Sequence, residues 1–132
     1  MKIRYVPALD LEERVKRIVK LIGLTYIDVN KVKCVRSYGS KSDTYARIHG
    51  VSRAFLTGLG MKPHYVIEFV SENFDNLPDD EKDKIIIHEL LHIPKTFSGN
   101  LLPHGKFKID REVKVLFKIL REKEYKCLKR TE

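Results

Sequence analysis

Two histidines and a glutamate fall within five residues of one another, in the run His88-Glu89-Leu90-Leu91-His92. Residues four apart lie about 40° apart around a helix, so both imidazoles can reach one metal ion. Glu89 lies on the same side, about 60° from His92, and can reach a water molecule on the ion without being a ligand itself. The spacing therefore predicts a metal site with a carboxylate beside it.

His104 is a third candidate ligand. It follows Pro94 and Pro103, in a loop that can turn back towards the helix carrying His88 and His92. Catalytic zinc sites commonly use three protein ligands and leave the fourth position to water. Three histidines satisfy that count, so the sequence predicts Zn²⁺ as the cofactor.

Other residues compete for the third position or for a closed site. His49 or His64 could replace His104 as a ligand, and both are otherwise interpreted as surface or supporting groups. A structural zinc site is closed by a fourth protein ligand, often cysteine, but Cys34 and Cys127 are distant from the histidines in sequence. The spacing therefore favours an open site. Both cysteines are interpreted as reduced thiols, which predicts a cytoplasmic protein.

The chemistry predicted for these residues is hydrolysis of a peptide bond, as in the zinc peptidases that carry the same motif. The metal lowers the pKa of a water molecule towards neutrality and polarises the carbonyl that is attacked. Glu89 would accept the proton from the water and later deliver it to the leaving amine. Tyr38 and Tyr65 could stabilise an oxyanion, although packing is their more common role. A peptide or protein is the expected substrate.

The segment that carries the motif has the pattern of a buried helix. Residues 85–93 are apolar almost all round, apart from the motif itself. Pro78 suits the first turn, and the acidic residues after it favour the helix N-terminus. The helix is expected to run through His92 and to end by Ile93, because Pro94 disfavours helix in the residue before it.

The remaining elements follow from periodicity and capping signals. A first helix is expected to begin at Asp10, with Glu13 completing a capping box, and to stop at Gly23. Glu68, the one charged residue of the last strand, is expected to face solvent or a sheet edge, with a role in supporting the metal site as the alternative. The other predicted elements are strands at Lys31–Ser37, Thr44–His49 and Tyr65–Val70, a short helix or irregular turn within residues 48–59, and a last helix capped by Asp110.

This order predicts an α+β fold, as one domain over residues 1–132. A short β-sheet would lie beside the metal-binding helix, with helices at the N- and C-terminal ends flanking them. The chain has no run of about 18 apolar residues, so no membrane-spanning helix is expected.

The charge of the chain supports a second hypothesis about function. The formal net charge is +8, and residues 106–132 hold ten Lys/Arg and five Asp/Glu. A basic C-terminal segment of this kind could bind nucleic acid, although a solvated helix face is the more common explanation. The alternative function is therefore a nucleic-acid-binding or adaptor protein with a structural or vestigial metal site.

The run from His88 to Pro94, with the strand Tyr65–Val70 before it and His104 after it, resembles the small zinc metallopeptidases of archaea and phages. It is similar in layout to the minimal zincins, including SprT-like proteases. The resemblance covers most of the chain and is strongest from about Tyr38 to His104. It implies a zincin-like domain with His88, His92 and His104 on the metal and Glu89 as acid and base. The distance from His92 to His104 exceeds the compact spacing of metzincins, which argues against that group.

Overall fold

A computed structural model describes residues 2–104 and 109–130, and this part of the chain forms an α+β fold with one four-stranded sheet. The α+β class expected from the sequence is therefore confirmed. The strands are β1 (Arg4–Pro7), β2 (Val32–Tyr38), β3 (Ala46–His49) and β4 (Tyr65–Val70). The helices are α1 (Leu9–Ile22), α2 (Arg53–Leu59), α3 (Ser71–Phe74), α4 (Asp79–Leu90) and α5 (Ile109–Arg130), and one turn of 3₁₀ helix at Val29–Lys31 precedes β2.

The sheet has the order β1-β2-β4-β3, with a parallel central pair and antiparallel neighbours. In the central pair, Val32 lies opposite Tyr65 and Ser37 opposite Val70. Strand β4 has the bounds predicted from its β-branched and aromatic residues, while β2 and β3 differ from prediction by one or two residues at their ends. Within the described residues β3 is an edge strand, so one side of its backbone remains unpaired.

Strand β1 was not expected, because the sequence pattern placed a helix first. All four of its residues are exposed, so the strand has no alternation between buried and exposed positions that could reveal it. It pairs with β2 at the other edge of the sheet and ends in Pro7, a residue that is tolerated at such edges.

Helix α1 begins at Leu9 rather than after Asp10, so the predicted N-cap at Asp10 is wrong. The Asp10 carboxylate instead accepts two hydrogen bonds of 2.8 Å from the Arg36 guanidinium on β2, and this pairing competes with a capping role. The predicted end of the helix is confirmed. Gly23 adopts a left-handed conformation with φ of 75°, and its N–H donates to the carbonyl of Val19.

Glu68 does not face solvent, as the sequence pattern had indicated. It is 3% exposed, and its carboxylate lies 2.9 Å from Nε2 of His49 and 3.6 Å from Nε of Arg47. Burial acts to raise the pKa of Glu68, but the nearby Ser37 hydroxyl, the hydrogen bond with His49 and the charge of Arg47 outweigh it, so the pKa is lowered. Neither His49 nor Arg47 belongs to the candidate metal site, so the supporting role considered for Glu68 is not favoured.

The core lies between the sheet and the helices α1, α4 and α5. Helix α4 contributes Ile86, Ile87 and Leu90, each 0% exposed, and burial of one such side chain stabilises the fold by about 1.5–3 kcal/mol. Helix α4 ends at Leu90, two residues before the predicted end at His92. The next turn is tighter, because the N–H of His92 bonds to the carbonyl three residues back.

Asp83 of α4 joins the three helices. Its two carboxylate oxygens each lie 2.9 Å from a guanidinium nitrogen, one of Arg14 on α1 and one of Arg121 on α5. Asp110, the predicted cap of α5, lies within the first described turn of that helix instead. After Leu120, which is 0% exposed, the helix continues with nearly all of its side chains exposed. Parts of the predicted basic segment, residues 106–108 and 131–132, lie outside the described residues.

Among the helices that the structure describes, none has the length and apolar character needed to cross a membrane.

Candidate metal centre

The structure brings His88, His92 and His104 together. His88 lies in the last turn of α4, His92 lies two residues beyond its end, and His104 ends the described part of the loop that follows. One potential ligand atom from each ring lies within 4.8 Å of the others. The four-residue spacing therefore keeps the first two rings on one side, although His92 has left the regular helix.

The separation of the nitrogens fits a metal ion. Nε2 of His88 lies 3.2 Å from Nε2 of His104. A tetrahedral zinc ion with Zn–N bonds of roughly 2.0–2.1 Å holds its ligand nitrogens about 3.3–3.4 Å apart. The three imidazoles, whose ligand atoms lie within 4.8 Å of one another, match in type and number the donor set of an open zinc site.

His92 is held in one tautomer by the loop that follows it. Its Nδ1 lies 2.6 Å from the carbonyl oxygen of Leu102, and the carbonyl can only accept, so Nδ1 donates the hydrogen bond. The N–H of Leu102 in turn donates to the carbonyl of His92 at 2.7 Å. Nε2 of His92 is therefore left with a free lone pair, which is the arrangement commonly found for a metal-binding histidine.

His88 is disposed to be neutral at neutral pH. Burial lowers its pKa, the nearby rings of His92 and His104 lower it further, and Asp110 acts in the opposite direction. Because only the neutral imidazole binds a metal ion, this shift favours binding.

Glu89 is buried, and one of its carboxylate oxygens lacks a hydrogen-bond partner among the described residues. It is 7% exposed, and its buried Oε2 has no hydrogen-bond partner among the described residues. Burial raises the pKa of Glu89 to about 7. A buried polar atom without a partner costs about 1–3 kcal/mol, so the orphaned oxygen indicates that a partner beyond the described residues belongs here. A cation beside the carboxylate would lower its pKa again.

The two alternative histidines lie elsewhere in the structure. Nε2 of His49 is bound to Glu68, and Nδ1 of His64 lies 2.7 Å from the carbonyl oxygen of Lys62. Neither belongs to the three-histidine group found among the described residues. Geometry thus favours His104 over His49 and His64 as the third ligand, which remains a prediction.

Tyr65 has a role that the sequence did not indicate. It is 1% exposed, and its hydroxyl donates to the carbonyl of Asn100 and accepts from the N–H of Gly99. Burial raises its pKa, with the Gly99 N–H acting against this, so the phenol stays protonated at neutral pH. A hydroxyl with both of these partners is not available to an oxyanion, so that suggestion for Tyr65 is not supported. Tyr38 lies at the far end of β2, where its ring contacts Arg4.

A cleft of about 820 Å³ opens above the histidines. It is lined by β3 and the residues before it, by α4, by the first turns of α5 and by residues of the loop at 101–104. Ile48, Ile85 and Val113 supply apolar surface, while Lys84 and Lys114 add positive charge. Its volume lies within the usual range for ligand-binding clefts, and Glu89 lines it together with the three histidines.

A family model described as "Putative phage metallopeptidase" matches residues 3–120 of the chain. The chain belongs to this family. No curated protein and no solved structure matches the chain at a significant level. The phage metallopeptidase match includes the histidine motif, His104, all four strands and the part of α5 that lines the cleft.

Membership of the phage metallopeptidase family indicates a metal-dependent peptidase, and hence a peptide or protein substrate. The expected resemblance to metallopeptidases is therefore confirmed at the level of the family. The family description names neither the metal nor the ligands, and it does not extend to an archaeal source or to a SprT-like layout. Those expectations remain predictions.

Proposed function

We propose that this chain is a zinc-dependent peptidase with a single zincin-like domain, in which His88, His92 and His104 hold the metal and Glu89 acts as general acid and base. The observation that carries the proposal is the combination of three imidazoles within 4.8 Å and a buried carboxylate oxygen without a partner, all lining one cleft. A purely structural interpretation accounts poorly for the Glu89 oxygen, since buried carboxylate oxygens normally have partners.

Zinc held by the three imidazoles would acidify a water molecule and polarise the carbonyl of the scissile bond. The chain's own residues supply the remaining functions. Hydrogen bonding to Leu102 keeps the Nε2 lone pair of His92 available for the metal. Glu89, which α4 places in the cleft, would accept a proton from the water on one of its carboxylate oxygens and transfer that proton to the leaving amine.

An edge strand in the lining of the cleft supports binding of an extended peptide. Strand β3 lines the cleft and, within the described residues, has one unpaired backbone edge. An extended substrate can add to such an edge by main-chain hydrogen bonds. The central strand β4 is paired on both sides, so it cannot serve in this way.

The first test is metal content. Purified protein is expected to bind about one zinc per chain, as a three-histidine site implies. His104→Ala should weaken zinc binding by orders of magnitude, whereas His49→Ala, the matched control, should change it little. Equal binding by the His104→Ala variant and the parent would show that the third ligand is a different residue.

The second test separates metal binding from turnover. Glu89→Gln should keep zinc and lose hydrolysis of an unstructured protein substrate, with a loss on the order of 10²–10⁴-fold for removal of a general acid–base group. Hydrolysis at the parent rate by a zinc-loaded Glu89→Gln variant would overturn the mechanism.

A cytoplasmic location is part of the same proposal, and it is supported by Cys34 and Cys127, which are both unpaired. For the nucleic-acid alternative, no observation favours binding. Arg121, one of the basic residues of α5, is engaged in ion pairs with Asp80, Asp83 and Glu124 within the chain.

A further inference from the structure

The loop between the predicted ligands His92 and His104 is attached to the sheet by one buried side chain. Tyr65, at the start of β4, places its hydroxyl beneath the loop, 2.8 Å from the carbonyl oxygen of Asn100 and 2.8 Å from the amide nitrogen of Gly99. One phenolic oxygen therefore satisfies two backbone groups of a segment that has no regular secondary structure of its own.

Further contacts fix the same part of the loop. The Phe97 ring packs edge-on against the Tyr65 ring with centroids 5.0 Å apart. The N–H of Val51 donates to the carbonyl of Gly99 at 2.9 Å. Gly99 has a φ of 96°, and a Cβ atom there would lie 2.6 Å from the carbonyl oxygen of Val51. Close approach and the left-handed conformation both require glycine, so the loop has little freedom at this point.

The anchored residues lie directly before the groups that face the metal site. Asn100 precedes Leu102 by two residues, and Leu102 exchanges hydrogen bonds with His92 through both its carbonyl and its N–H. His104 follows two residues later, with Nε2 3.2 Å from that of His88. A shift of the loop at Asn100 would therefore disturb the orientation of one predicted ligand and the position of another.

We propose that Tyr65 is a positioning residue of the metal site, whose hydroxyl holds the loop so that Leu102 orients His92 and His104 reaches the other two histidines. The inference rests on the proposed metal-binding function. Because β4 is the described strand with the most buried residues, Tyr65 links the loop that carries His104 to the buried core of the fold. Replacement of a residue that supports metal ligands in this way typically lowers metal affinity about 10–100-fold.

The main experiment compares zinc affinity of the parent and Tyr65→Phe by competition with a chromophoric chelator at neutral pH. The variant keeps the ring and its packing against Phe97 but removes the hydroxyl, so zinc affinity should fall about 10–100-fold. Tyr38→Phe is the control. It removes a hydroxyl at the opposite end of the parallel strand pair and should bind zinc as the parent does.

A spectroscopic measurement distinguishes a displaced ligand from a general loss of stability. Visible absorption of the Co²⁺-loaded protein reports the number and arrangement of ligands, and it should change in Tyr65→Phe while remaining unaltered in Tyr38→Phe. The loss of zinc-binding free energy in the double variant Tyr65→Phe/His104→Ala should be smaller than the sum of the losses in the two single variants, because both substitutions act through the same loop.

Gly99→Ala tests the inference by an independent route, since the added Cβ displaces the loop without touching the hydroxyl. Gly99→Ala should also weaken zinc binding. If Tyr65→Phe does not fold, parental zinc affinity in a folded Gly99→Ala variant would overturn the inference. A folded Tyr65→Phe variant with parental zinc affinity and an unchanged Co²⁺ spectrum would overturn the inference and leave the proposed function intact. Failure of the parent itself to bind zinc would instead overturn the proposed function.

Discussion

Asp83 of α4 forms ion pairs with Arg14 of α1 and Arg121 of α5, so its replacement should destabilise the whole fold. Its side chain is 3% exposed, whereas those of Arg14 and Arg121 are 21% and 33% exposed. Asp83→Ala removes the shared partner of both guanidinium groups. Breaking a fully buried ion pair costs about 3–5 kcal/mol, and the partial exposure of both arginines reduces the expected loss here to about 2–3 kcal/mol.

Asp80 provides a matched control on the same helix. It also pairs with Arg121, but its side chain is 64% exposed, so Asp80→Ala should cost less than about 1 kcal/mol. Urea unfolding of both variants, followed by circular dichroism at neutral pH with a chelator present, gives the free energy of unfolding without any contribution from metal. A loss below about 0.5 kcal/mol for Asp83→Ala, or equal losses for the two variants, would refute the reasoning.

Glu68 should make stability depend on pH. Burial acts to raise its pKa, but the nearby Ser37, His49 and Arg47 side chains outweigh it and hold the pKa below the ordinary value of 4.5. The stabilisation by Glu68 is therefore fully present above that pH and is lost as the pH falls through the folded pKa. The difference in unfolding free energy between the parent and Glu68→Gln should therefore shrink between about pH 5 and pH 3, and a constant difference would contradict the assignment. The two thiols should differ in reactivity, because burial raises the pKa of Cys34 to about 12 whereas Cys127 is exposed. A thiol reagent at mildly alkaline pH should modify one thiol rapidly, the Cys127→Ser variant should lose this reaction, and rapid modification of two thiols in the folded parent would argue against burial of Cys34.

Sequence reasoning succeeded where a local pattern determines the structure. Strand β4 was predicted with its observed bounds, because its β-branched and aromatic residues favour no other conformation. The position of His88 and Glu89 on a buried helix followed from the apolar residues around them. These features depend on neighbours within a few residues, and such neighbours are visible in the sequence.

Features that depend on distant partners could not be derived in this way. Asp10 has the residue type of a helix cap, but Arg36, 26 positions later, takes its carboxylate. Glu68 is buried because it lies in a central strand beside His49, and nothing in its own strand indicates this. The hydroxyl of Tyr65 finds its partners more than 30 residues further along the chain, so its contact with the loop required the folded structure.

Burial of α5 ends at Leu120, and the match to the family ends at the same residue. Beyond Arg121 the helix continues to Arg130 with side chains that are nearly all exposed. The tolerance to substitution therefore differs between the two parts of this helix. The first turns must retain residues that pack against α1 and α4 and that line the cleft, whereas substitutions in the last turns cost the fold little. The last turns are accordingly the part of α5 in which substitutions can accumulate with little effect on the core or on the cleft.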